Sequence, residues 1–217
     1  SINMLQWFKS TTGKARAQFI FAHGAGAGSD SEFMQTMANL ISQHGIDVAL
    51  FDFQYMQIAK ETGKRRPPER APKLLAYFGE VLAERQPELP LFIGGKSMGG
   101  CMASMLCTEQ DQAQIAGVVA FGYPFHPPGK PDKLRIDHFV DMPCPFLVLQ
   151  GERDTFGDQQ ELAELEMVNP PEIKFLKDGD HSLKPRKKSG ITEQENLQQA
   201  ADYAAQFILN LAAGGTQ

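Results

Sequence analysis

The chain has 217 residues, of which 42% are hydrophobic, and a formal net charge of -5. That length fits one domain over 1–217 with room for a substantial core. The negative charge argues against a general nucleic-acid binder, which needs a basic surface, and no stretch is long and apolar enough to cross a bilayer.

Gln18-Phe19-Ile20-Phe21-Ala22 reads as a buried strand that runs into the glycine-rich His23-Gly24-Ala25-Gly26-Ala27-Gly28. Ser29 and Glu32 have the spacing of a capping box, which predicts a helix to about Gln43 that Gly45 ends. Ile46 to Phe53 reads as a second strand. Tyr55 to Pro72 is expected to be a loop rich in basic residues and proline. Leu74, Leu75, Phe78, Val81 and Leu82 recur at helical spacing within Lys73 to Gln86. Leu91 to Gly94 and Ile115 to Phe121 read as buried strands, with a helix from Met98 to Cys107 between them. Tyr123 to Met142 is a proline-rich connection without periodicity. A strand (Phe146 to Gln150), a helix (Asp158 to Met167) and a short strand (Ile173 to Leu176) follow. Thr192 and Glu195 form another capping box, opening a helix with Leu197, Ala201, Ala204, Ile208 and Leu211 on one stripe. Alternating strands and helices imply an α/β fold of three layers, with a mostly parallel sheet covered on both faces. Ligands of such sheets bind beyond the carboxyl ends of the strands.

Gly95-Lys96-Ser97-Met98-Gly99 joins a strand to a helix, which is the context of a nucleophile elbow. Glycines flank the serine because the turn is sharp, and Ser97 is held above the sheet edge. Gly95-Lys96-Ser97 also ends like a phosphate-binding loop, but that motif needs a glycine where Pro90 stands. The first glycine run, with Asp52 ending the next strand, is a partial dinucleotide fingerprint in which Ser29 occupies the third glycine position.

A serine hydroxyl needs a base, and the base needs an orienting acid. In elbow hydrolases the acid follows the serine and the histidine follows the acid. Among His126, His138 and His181, only His181 lies beyond the last short strand and before the final helix. Asp154, after the strand ending at Gln150, is the expected acid. Glu152, Asp178 and Asp180 are less suitably placed, and Asp158 suits a helix cap. Ser97, Asp154 and His181 are therefore the expected catalytic residues. The amides of Ala25 and Met98 are the expected oxyanion donors. His23 is expected to orient its loop. Lys60, Lys64, Arg65, Arg66 and Arg70 form one basic segment, and Lys184, Arg186, Lys187 and Lys188 a second. Two solvated loops are the favoured reading of these charge runs; if they flank the cleft instead, Lys187 and Lys188 would favour a small anionic ester. Phe125 and Phe139 are candidates to line an acyl pocket, with core packing the more expected role of either one singly.

Cys101, Cys107 and Cys144 have neither disulfide-framework nor zinc-site spacing, so reduced thiols and no metal are expected. Ser1-Ile2-Asn3-Met4-Leu5 lacks the basic and apolar regions of a secretory signal, and a cytoplasmic location is the expectation.

His23–Ala27, Gly94–Gly100 and Gly179–Leu183 together resemble the His-Gly-Ala-Gly-Ala, Gly-Gly-Lys-Ser-Met-Gly-Gly and Gly-Asp-His-Ser-Leu motifs of a compact bacterial family within the α/β-hydrolases. The likeness runs from about Phe19 to the final helix. Cys101 stands where the relatives usually carry Arg. The resemblance implies a three-layer α/β-hydrolase fold without a large cap, and a serine esterase or thioesterase working through an acyl-enzyme. It implies no cofactor, no metal, a small-molecule ester as partner, and neither nucleic acid nor membrane. The family also has distant relatives in chromatin-regulating assemblies, so a non-enzymatic binding or scaffold protein is the alternative.

Overall fold

Mostly apolar, buried runs form the central strands, which are covered on both faces, whereas the edge strands Gln6–Phe8 and Glu172–Leu176 are partly exposed. The structure, a computed structural model, describes residues 3–109 and 114–214; Ser1 and Ile2 of the stretch read for a leader lie outside it. The strands are β1 (Gln6–Phe8), β2 (Ala17–Ala22), β3 (Ile46–Phe51), β4 (Leu91–Lys96), β5 (Ile115–Phe121), β6 (Phe146–Gly151) and β7 (Glu172–Leu176). They form one seven-stranded sheet in the order β1-β3-β2-β4-β5-β6-β7. Only β1 is antiparallel to its neighbour; the other pairs are parallel.

The helices are α1 (Glu32–Ser42), α2 (Gln54–Thr62), α3 (Ala71–Val81), α4 (Met98–Glu109), α5 (Gln159–Glu164) and α6 (Glu193–Gly214). Successive strand residues point to opposite faces, and the core divides accordingly. Ile20, Ala49, Phe51, Ile93, Val118 and Val148 pack with α3 and α4 on one face. Phe19, Phe21, Val48, Phe92, Val119 and Leu147 pack with α1 and α6 on the other. Among the described residues no separate cap stands over the carboxyl edge; the connection from Tyr123 to Met142 contains only a short 3-10 turn at Asp137–Asp141.

Local structure departs from expectation at the start of α1 and after β3. Ser31, not Ser29, caps α1, its hydroxyl accepting from the Met34 amide at 3.3 Å. Ser29 is instead tied to Asp52, which accepts from its amide at 2.8 Å and its hydroxyl at 2.9 Å. The first part of the loop expected from Tyr55 to Pro72 is helical: α2 runs over Gln54–Thr62 and ends at Gly63 in the left-handed conformation, φ 69°. The capping boxes at Asp158/Glu161 and Thr192/Glu195 both form. Cys101 and Cys107 are buried on α4; the Sγ of Cys107 lies 3.0 Å from that of Cys144, and all three cysteines are free thiols.

Two buried glutamines fix connections that the strands alone leave loose. Gln18 donates to the carbonyls of Gln86 and Leu89, at 2.6 and 2.9 Å, closing the turn before β4. Gln150 accepts from the Tyr123 amide at 2.9 Å and donates to the carbonyls of Tyr123 and Gly157, at 3.1 and 3.0 Å. It thereby ties the loop after β5 to the loop that carries Asp154.

Candidate active site

Ser97 joins β4 to α4 with φ 52°, a conformation that costs a residue with a Cβ of order 1–3 kcal/mol. Its backbone holds the turn on both sides: the Ser97 amide donates to Phe121 O at 2.9 Å, and the Gly100 amide donates to Ser97 O at 2.9 Å. Gly99 makes the close approach possible. A Cβ there would lie 2.5 Å from the carbonyl oxygens of both Ala22 and His23. The elbow can therefore sit against the end of β2, beside the glycine-rich loop.

The folded chain brings Ser97, Asp154 and His181 together. Ser97 Oγ is 2.8 Å from His181 Nε2, and His181 Nδ1 is 2.9 Å from Asp154 Oδ2 and 3.0 Å from Oδ1. Asp154 is fully buried and can only accept when ionised, so Nδ1 carries the imidazole proton and Nε2 is free to accept from the serine hydroxyl. The Phe156 amide donates to Asp154 Oδ1 at 2.8 Å, and the Phe156 ring stacks on the imidazole with centroids 3.9 Å apart. The His181 loop rests on Gly122, whose φ is 65° and where a Cβ would meet His181 O at 2.6 Å.

Each competing acid has another task. Glu152 accepts from the Asp178 amide at 2.7 Å. Asp178 holds Arg186 in a salt bridge, and those hydrogen bonds keep its carboxyl below the usual carboxylate range. Asp180 Oδ1 accepts from the amides of Ser182 and Lys184, at 2.8 and 2.9 Å. Asp158 caps α5. The other histidines downstream are engaged elsewhere: His126 Nε2 is 2.9 Å from Glu161, and His138 Nε2 is 2.7 Å from the Ser104 hydroxyl.

The His23–Gly28 loop lies across the cleft from His181. Among the described residues, neither the Ala25 amide nor the Met98 amide has a hydrogen-bond acceptor. Tyr55 holds the loop from below, its hydroxyl 2.9 Å from Ala25 O and 3.2 Å from Gly24 O. Burial raises the Tyr55 pKa well above the usual phenol value, so it remains a donor. Behind the loop, burial pushes the Asp52 carboxyl up, but hydrogen bonds from Lys60 and Ser29 outweigh it and keep the group ionised. Asp52 is thus committed within the fold rather than offered to a ribose.

His23 is fully buried and neutral. Its Nε2 accepts from the Phe53 amide at 3.1 Å, so Nδ1 bears the proton and donates to Gly24 O at 2.7 Å. Burial lowers its pKa below the ordinary histidine value of 6.5. The folded chain therefore binds fewer protons here than the unfolded chain as pH drops below that value. The resulting stability is complete above pH 6.5 and declines as pH falls through the folded pKa. Urea unfolding should show stability falling from pH 7.5 to pH 5, with a shallower fall in His23→Gln. Equal slopes in the two proteins would contradict this role.

A cleft of about 380 Å³ opens over the serine, lined by Gly24, Ala25, Phe33, Lys96, Ser97, Phe156 and His181 among others. Phe125 does not line it. The ring is fully buried against Tyr123 and Phe139, with centroids 4.8 and 6.4 Å away, so its place is in the core and not in an acyl pocket. Lys187 and Lys188 do not reach the cleft either. They form a short exposed 3-10 turn after Arg186, whose bond to Asp178 sets the direction of the segment. Of the first basic segment, Lys60, Lys64, Arg65 and Arg66 border a neighbouring hollow of about 600 Å³ that shares the Ala25–Gly26 wall, while Arg70 stands at the N-cap position of α3 without a side-chain capping bond. Lys96 is the residue the sequence reading missed. In the sequence it stands in the phosphate-loop-like triplet and in the Gly94–Gly100 motif with no role assigned, whereas in the fold it lines the cleft itself.

Residues 15–209 match the family described as alpha/beta hydrolase domain. No curated protein sequence matches the chain. In structure the chain is similar to Est1E from Butyrivibrio proteoclasticus with ferulic acid bound, at a TM-score of 0.71 and 12% identity, covering 96% of this chain and 95% of that one. It is similar to a dienelactone hydrolase from Anabaena variabilis, at a TM-score of 0.66 and 19% identity over 95% and 90% of the two chains. It is also similar to an α/β serine hydrolase without lid from Xanthomonas campestris, at a TM-score of 0.64 and 16% identity over 93% and 87%.

Proposed function

The chain belongs to the alpha/beta hydrolase domain family, and we propose that it is a serine hydrolase that cleaves a carboxylic ester or thioester through an acyl-enzyme. The observation that carries this reading is the continuous relay from Ser97 Oγ through His181 to the buried Asp154 carboxylate. The names of two structural neighbours, a dienelactone hydrolase and a serine hydrolase, fit the same chemistry.

In the proposed reaction the substrate carbonyl carbon sits over Ser97 Oγ. As the C–O bond forms, the serine proton passes to His181 Nε2, and Asp154 stabilises the resulting imidazolium. The carbonyl oxygen becomes an oxyanion facing the unoccupied amides of Ala25 and Met98. Collapse of the tetrahedral intermediate expels the alcohol or thiol, which takes the proton from His181. Water then gives a proton to His181, attacks the acyl-serine, and releases the acid and the serine hydroxyl. Ester-sized ligands can enter directly, because no separate cap stands over the cleft. The arrangement of free thiols is consistent with a cytoplasmic setting, which we include in the proposal.

Acid quenching during turnover of p-nitrophenyl acetate and of a short acyl thioester tests the reaction. The expected result is saturable hydrolysis with an acetyl group found on Ser97 by peptide mass spectrometry. Intact esters and an unmodified Ser97 would favour a binding or scaffold protein built on the same fold.

A further inference from the structure

Lys96 ends β4 immediately before the nucleophile, and it is the only Lys or Arg among the described residues lining the cleft. Among the described residues no Asp or Glu lines that cleft. The ammonium donates to Ser182 Oγ at 3.0 Å and lies 5.0 Å from the centroid of the Phe33 ring. Among the described residues it has no other hydrogen-bond partner and no carboxylate within salt-bridge distance, which leaves N–H capacity unused. The nearest acids are committed: Asp154 to His181 and the Phe156 amide, and Asp180 to the amides of Ser182 and Lys184.

A tether to Ser182 requires only a neutral donor. Placing a positive charge in a half-buried, partly aromatic cleft is costly unless something negative meets it. Burial draws the Lys96 pKa below the usual lysine range, against the opposing pull of Asp180 and Asp154. An entering carboxylate would restore the ion's lost solvation and would meet no like charge on the cleft walls. Charge-assisted hydrogen bonds of this kind are about twice as strong as neutral ones.

Building on the serine hydrolase reading, we propose that Lys96 is the anion receptor of the cleft. The substrate is then an ester carrying a carboxylate within a few carbons of the carbonyl that Ser97 attacks. The charge selectivity lies in this lysine and not in Lys187 or Lys188. Because Lys96 adjoins the nucleophile in sequence, a bound carboxylate also fixes the position of the scissile carbonyl relative to Ser97 Oγ.

The test compares each carboxylate ester with its neutral carboxamide twin. Monoethyl glutarate carries the charge on the acyl side, and the acetate ester of 4-hydroxybutanoate carries it on the alcohol side. The wild-type chain should favour at least one of these esters over its twin by about tenfold or more in kcat/KM, mainly through KM. Lys96→Met should bring that ratio close to one, and Lys96→Arg should retain most of it. A lysine that merely positions the His181 loop through Ser182 would, when replaced, lower both esters of a pair equally and leave the ratio unchanged. That result, or the absence of any charge preference in the wild-type chain, would overturn the proposal. Calorimetric titration of Ser97→Ala with the same two carboxylate esters, with and without Lys96→Met, reads binding without turnover. Weaker binding in the double variant supports the receptor even if no hydrolysis is found, and equal binding contradicts it. A wild-type chain that cleaves no ester and takes no label on Ser97 is the separate signature of a failed hydrolase reading.

Discussion

Ser97→Ala should reduce kcat/KM for a p-nitrophenyl ester by about 10⁴- to 10⁶-fold, the range seen when a nucleophile that works as one unit with its base is removed. KM should change little, because the cleft walls and the two amides remain. The loss is chemical, not structural. The serine side chain contributes one hydrogen bond, to His181 Nε2 at 2.8 Å, while the elbow is held by backbone bonds to Phe121 and Gly100. Ser97→Gly provides the control. At φ 52° glycine relieves the strain that serine and alanine share, so Ser97→Gly should be inactive yet unfold at a higher temperature than Ser97→Ala. Comparable thermal midpoints for the two variants would show that the turn stores no strain, and turnover in either would show that another group is the nucleophile.

Asp154→Asn should lower kcat by about 10⁴-fold with the fold intact, the magnitude known for inverting the tautomer of a catalytic histidine. The buried carboxylate accepts from His181 Nδ1 and from the Phe156 amide. An asparagine can keep the amide contact through its carbonyl oxygen. Its NH₂ group, facing Nδ1, makes that nitrogen an acceptor and moves the imidazole proton to Nε2. Ser97 then faces a donor and has no base. Asp154→Ala should be less stable than Asp154→Asn, because it also leaves the Phe156 amide unpaired. A pH–rate profile separates the effects: lost general-base catalysis gives a rate rising with hydroxide, whereas a disordered site gives a low rate at every pH. Near-normal activity in Asp154→Asn would transfer the orienting role to another acid.

The sequence made the central layer legible because β2, β4, β5 and β6 are buried on both faces and so appear as continuous apolar runs. The positions of Ser97, Asp154 and His181 could be inferred from chain order, since parallel strands deliver successive loops to one edge of the sheet. What could not be read depends on forces acting across distant segments. β1 has three residues, too few for any period, and exists through pairing with β3. α2 buries only Tyr55 and Met56, so its apolar stripe is faint, and Gly63 as a left-handed terminator was its clearest local sign. Ser29 and Ser31 both stand near the start of α1, and the choice of cap was settled by Asp52, which claims Ser29 from the end of β3. The inward turn of Phe125 and the outward course of Lys187 and Lys188 lie in irregular connections, where side-chain direction follows long-range bonds such as Asp178 to Arg186. Lys96 illustrates the converse. Its neighbours in sequence suggested a phosphate loop, but strand geometry carries its side chain into the cleft beside Ser97.

Intact-mass analysis after exposure to a fluorophosphonate probe tests the relay most directly, since the reagent reacts with an activated serine and ignores an ordinary one. One adduct per chain is expected, located on Ser97, absent from Ser97→Ala and strongly slowed in His181→Ala. An unlabelled wild-type chain, or a label that forms equally fast without the imidazole of His181, would contradict the account.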